Sequence, residues 1–167
     1  MRLLVCLALC LAVSPAWAKK SGKKARAGAR PAKAATAVSP KKEITLYQRL
    51  GGASALTAIV DQFVANCAGD PRVASFFTST AADAARMTRF KKNLTDQLCE
   101  ATGGPCKYSG KDMKNAHDTM KISNEQFDAV SEDLTAALTQ FRVGTREQAE
   151  VMKFVSSLRP KIVTVNS

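Results

Sequence analysis

Histidine is almost absent from this chain: His117 is the only one in 167 residues. A metal cage built from several imidazoles is therefore excluded. No glycine-rich loop is placed to cradle a phosphate, and no H-E-x-x-H occurs. No Ser-His-Asp set has a workable spacing. Nucleotide-driven chemistry, zinc-protease chemistry and triad hydrolysis lose their usual signatures, and the carboxylates are scattered over polar faces where solvation accounts for them. No stretch alternates apolar and polar residues for long enough to make a half-buried strand, and no internal repeat is present.

Acidic residues are missing from one long stretch. Residues 19–42 hold nine Lys/Arg, no acid and no large apolar side chain except Val38. Such a segment cannot bury enough surface to offset its ordering entropy, so it is expected to be a disordered basic linker. It also carries the charge. Of 25 basic residues one lies before it and nine within it, which leaves 15 against 14 acids, a net of +1, for residues 43–167. Nucleic-acid binding would rest on the linker alone and is not expected. A solvated spacer, or weak attraction to an anionic surface, fits better.

Ahead of the linker, residues 1–18 (MRLLVCLALCLAVSPAWA) combine a basic start, a short apolar run and a small-residue end. This reads as a secretory signal peptide cut after Ala18, with a retained anchor as the alternative. The run is too short to span a bilayer comfortably, and Cys10 lies too early for a lipoprotein cysteine. A periplasmic or secreted protein is expected.

What residues 43–167 do have is helical periodicity. Leu56, Ile59, Val60, Phe63, Val64 and Cys67 recur at three- and four-residue steps up to the sequence GDPR. Met87, Phe90, Leu94, Leu98 and Ala101 mark a second helix, stopped by Gly103-Gly104-Pro105. Residues 111–120 suggest a short helix with Met113, Ala116, His117 and Met120 on one side. Ser123 with Gln126 reads as a capping box for a helix carrying Phe127, Val130, Leu134, Leu138 and Phe141. Thr145 with Gln148 reads as a second box, ahead of Met152, Val155, Leu158 and Ile162. The domain is predicted to be all-α, with about five main helices.

Three of the five cysteines lie beyond the leader. Cys99 and Cys106 flank the Gly-Gly-Pro turn, which can bring them within disulfide range, and an oxidising compartment would bond them. Cys67 falls on an apolar stripe and reads as a small buried hydrophobe. A rival reading joins Cys67, Cys99, Cys106 and His117 in a zinc site, but the close C-x-x-C spacing of most structural sites is missing.

A lone helical histidine is most often a surface or packing residue. Here Met113 and Met120 flank His117 one turn away on either side, so the face is apolar and the imidazole needs a partner. One imidazole can also complete an iron site whose other four donors come from a porphyrin. Residues 46–163 resemble the group I truncated haemoglobins in LYQRLGG at 46–52, DQFVANCAGDP at 61–71, SFF at 75–77, GGPCKYSG at 103–110, MKNAH at 113–117 and ISNEQF at 122–127.

That resemblance implies a shortened globin, two helices over two around one haem b. It makes His117 the proximal iron ligand. Phe77 would wedge against the porphyrin, Phe90 and Leu94 would face the gas, and Lys91 would reach a propionate. Leu98, Tyr108, Met113, Phe127 and Val130 would complete the pocket. The chain departs from the family where many members carry a tyrosine after the residue matching Phe63, and often a glutamine on the distal helix. Val64, Phe90 and Leu94 stand there, and none can donate a hydrogen bond. The resemblance implies reversible binding of oxygen or another diatomic gas such as nitric oxide or carbon monoxide. The alternative is a haem-dependent redox enzyme, a nitric oxide dioxygenase or peroxidase-like, supplied by an unidentified electron donor. No reductase domain or flavin or nicotinamide motif is present in the sequence.

Overall fold

The computed structural model describes residues 43–165. The leader-like stretch 1–18 and the basic stretch 19–42 lie outside the described residues. Among the described residues seven helices follow in order: α1 (Leu46–Arg49), α2 (Gly52–Gly69), α3 (Ala74–Ala81), α4 (Ala84–Ala101), α5 (Met113–His117), α6 (Asn124–Gln140) and α7 (Thr145–Ile162). The only pairing of strand type among them is a single parallel bridge between Ile122 and Val163. The all-α expectation holds.

The core is built around α2. Its stripe Leu56, Ile59, Val60, Phe63, Val64 and Cys67 is buried, because α3, α4 and α6 all pack on this helix. Each large side chain taken from water there contributes about 1.5–3 kcal/mol. The α2 stripe starts at Gly51, whose φ of 97° suits glycine, and where a Cβ would sit 2.9 Å from that of Ala55.

Helix α4 starts at Asp83, whose side chain accepts the Arg86 amide proton. This bond holds the Asp83 carboxyl below the usual carboxylate range. Its other end is fixed by several bonds. The Thr102 hydroxyl donates to the Leu98 carbonyl at 2.7 Å, and Tyr47 of α1 donates its amide proton to the Thr102 carbonyl at 2.8 Å. Cys99 and Cys106 form a disulfide across the turn, with Cα atoms 5.7 Å apart. Gly104 is wedged into this knot: a Cβ there would lie 2.6 Å from the Cys99 sulfur and 2.7 Å from the Tyr47 ring.

The structure changes several sequence-level details. The Ser123–Gln126 box is present, but the Thr145–Gln148 box is not. Gly144 caps α7 without a side-chain bond, and the Gln148 amide instead donates to the Val143 carbonyl at 2.9 Å, closing the α6–α7 turn. Helix α5 covers five residues rather than ten. Two helices were not foreseen. Helix α1 is too short for a period, although its Thr45–Gln48 capping box was there to read. Helix α3 (ASFFTSTA) is rich in Ser and Thr and has no fully buried residue, so it makes no apolar stripe.

Arg49 at the end of α1 pairs with both Glu147 and Glu150 of α7. Its guanidinium holds both carboxyls below their ordinary range. Depressed carboxylates stabilise the fold above the unfolded pKa of about 4.3, and this contribution fades as pH falls through the lowered folded value. The double variant Glu147→Gln/Glu150→Gln should therefore melt lower at neutral pH. Its Tm should fall less steeply between about pH 6 and about pH 3. Parallel Tm–pH curves for the two proteins would show that the pair carries no pH dependence.

Candidate functional site

His117 closes the short helix α5, which Asp112 starts by accepting the Asn115 amide proton at 3.2 Å. Five residues make too little helix to hold itself, and α5 is supported by packing on α7. The half-buried imidazole is oriented from within its own turn: Nδ1 lies 2.8 Å from the Met113 carbonyl oxygen. A carbonyl only accepts, so Nδ1 carries the proton and donates. The lone pair is then on Nε2, the nitrogen left free to bind a metal.

Helix α4 packs extensively on α2 and α3, while α6 packs on α2 and α7. Extensive packing does not join α4 to α6 or α7 among the described residues. Helices α3, α4, α6 and α7 carry apolar side chains that lean on the core yet stay partly exposed. Phe77, Phe90 and Leu94 lie on α3 and α4, and Val130 and Val155 on α6 and α7. Phe77 and Phe90 meet edge to face, with ring centroids 5.9 Å apart and planes at 63°.

The remaining predicted residues divide. Met113 is half-buried beside His117. Leu98 is buried in the main core. Phe127 is buried under the Arg159 guanidinium, 4.3 Å from its ring centre, and Arg159 also pairs with Asn124 and Asp128. Tyr108 is engaged in its own loop, its hydroxyl donating to the Lys111 carbonyl at 2.6 Å. Burial, and then Asp112, push that phenol's pKa up. Lys91 pairs with Asp61 on α2 at 2.8 Å: Asp61 lies one turn before Val64, on the helix that α4 packs against.

Sequence reasoning missed the carbonyl that orients His117, which no side-chain pattern encodes. It also missed the Asp112 cap, which an Asp directly before the helix signals. The disulfide uses two of the four ligands of the rival zinc site. Cys67 is fully buried, and burial, reinforced by Asp133, pushes its thiol pKa far up, so it is a packing residue rather than a thiolate ligand.

The bacterial-like globin family model matches residues 45–164. A group 1 truncated haemoglobin of Tetrahymena pyriformis is 36% identical over 118 residues, covering 71% of this chain and 93% of that protein. The chain belongs to the group I truncated haemoglobins. One from Mycolicibacterium paratuberculosis is 32% identical over 72% of this chain and 85% of its own length. The crystal structure of the T. pyriformis truncated haemoglobin in its Fe(III) form superposes with a TM-score of 0.67 at 35% identity, covering 72% of this chain and 99% of that one. A group II truncated haemoglobin from Bacillus anthracis shares the fold, with a TM-score of 0.67 at 19% identity.

The cofactor of a truncated haemoglobin is haem b, and the residues of this one fit it. Haem is a flat apolar plate that needs an apolar slot and one strong axial donor. Helices α3, α4, α6 and α7 carry the partly exposed aromatic and aliphatic side chains Phe77, Phe90, Leu94, Val130 and Val155. The one imidazole of the chain has the tautomer that leaves Nε2 as a donor.

Proposed function

We propose that this truncated haemoglobin binds oxygen or another diatomic gas reversibly, on haem b ligated by Nε2 of His117, with an apolar pocket on the gas side. The observation that carries the reading is the 2.8 Å contact between Nδ1 of His117 and the Met113 carbonyl. It fixes the tautomer a metal ligand requires, and it raises the basicity of the nitrogen that binds. When bound, haem supplies a ferrous iron with one coordination position open to a small gas. His117 would hold that iron through Nε2, with Nδ1 tied to the Met113 carbonyl. Phe77, Phe90 and Leu94 exclude water, and Val64, Phe90 and Leu94 offer the gas no N–H or O–H group.

Export is part of the proposal. It is supported by the leader-like sequence at 1–18 and by the Cys99–Cys106 disulfide, a bond type that persists in oxidising compartments.

Absorbance spectra of the purified protein, oxidised, reduced and with carbon monoxide, test the reading. A one-to-one haem titration with a Soret band that shifts on adding carbon monoxide is expected. The His117→Ala variant should lose the normal form of that band. A purified protein that takes up no haem, or a variant with an unchanged spectrum, would refute His117 ligation.

A further inference from the structure

The Met113 carbonyl orients His117, so whatever places Met113 also places the ligand. Helix α5 has five residues, and its own hydrogen bonds are too few to fix a carbonyl direction. The side chain of Met113 is held from outside the helix: Nε2 of Gln97 donates to its sulfur at 3.1 Å. Gln97 stands on firm ground. It lies on α4 directly before the buried Leu98 and Cys99, and Cys99 is tied by its disulfide to the loop that leads into α5.

From this geometry we infer that Gln97 is a positioning residue for the His117 imidazole, acting through Met113. One residue links the two ends: the Met113 sulfur accepts from Gln97, and the Met113 carbonyl accepts from His117. A thioether is a weak acceptor, so the bond adds little to stability. Its effect is on direction. Losing it frees the first turn of α5 to rotate, which lengthens the Nδ1–H···O contact and makes Nε2 a weaker donor. Helix α4 also carries Phe90 and Leu94. The link therefore ties the helix on the gas side to the ligand on the other side without passing through the core.

The inference rests on haem ligation by His117. The test is the iron–histidine stretching band in the resonance Raman spectrum of the ferrous holoprotein. Gln97→Leu and the isosteric Gln97→Glu, whose ionised carboxylate cannot donate, should move that band to lower frequency and broaden it. Met113→Leu keeps the carbonyl and removes the sulfur, and should do the same. The double variant Gln97→Leu/Met113→Leu should show no further shift, since both changes break one link. A band unchanged in Gln97→Glu, or additive shifts in the double variant, would overturn the inference and leave haem ligation standing. A parent protein with no iron–histidine band would overturn both.

Discussion

Val64→Tyr should slow oxygen release by about 10- to 150-fold, because a hydrogen bond to a charged acceptor is worth about 1.5–3 kcal/mol. Val64 lies on the buried stripe of α2, where the family often has a tyrosine. Bound oxygen carries partial negative charge, and the parent protein gives it no donor from Val64, Phe90 or Leu94. A phenol at position 64 supplies one. The rate is read by stopped-flow displacement of oxygen with carbon monoxide. Carbon monoxide release should change far less, since that ligand gathers little charge. Leu94→Gln places a donor on the opposite helix and should act in the same direction. Oxygen release unchanged in both variants would mean that a donor already serves the site, and the apolar-pocket reading would fail.

The second large effect is expected from the disulfide. Replacing both Cys99 and Cys106 by serine should cost about 2–3 kcal/mol, from the chain entropy of the short closed loop. At several degrees per kcal/mol, the Tm should fall by roughly 8–12 °C. The loss should concentrate where α4, α1 and the loop to α5 meet, because Gly104 lies close against both the Cys99 sulfur and the Tyr47 ring. Haem retention should weaken with it, since the same loop feeds the helix that carries His117. Equal melting temperatures with and without a reductant would show that the bridge contributes nothing.

The sequence revealed most where one physical cause dominated. The α2 stripe was readable because three neighbours bury it and nothing else competes. The Ser123–Gln126 box was readable because a cap is a local bargain between neighbouring residues. Thr145 misled because the same pattern carries no information about Gln148, whose amide found a better acceptor at the Val143 carbonyl, within the turn. Helix α3 escaped because it is held by tertiary packing and leaves no stripe. At the site, Met113 and Met120 at helical spacing gave His117 its apolar face, and only the resemblance gave it a role as a ligand. The position of the Lys91 ammonium on Asp61 and the Gln97–Met113 link depend on the angle between helices, which no single-sequence spacing gives. The Met113 carbonyl belongs to the backbone, so no choice of side chain announces it.

The bridge and the buried third cysteine have a consequence for how the chain folds. In an oxidising medium the three cysteines of residues 43–167 can pair with one another in three ways. Cys99 and Cys106 are 7 residues apart, whereas Cys67 lies on another helix, before the α3–α4 segment. Closing the shorter loop is favoured by roughly tenfold over either longer one, on the logarithmic dependence of closure entropy on length. The correct pairing is thus the quickest to form before any tertiary structure exists. The fold then makes the choice permanent, because α2 buries Cys67 completely as it docks.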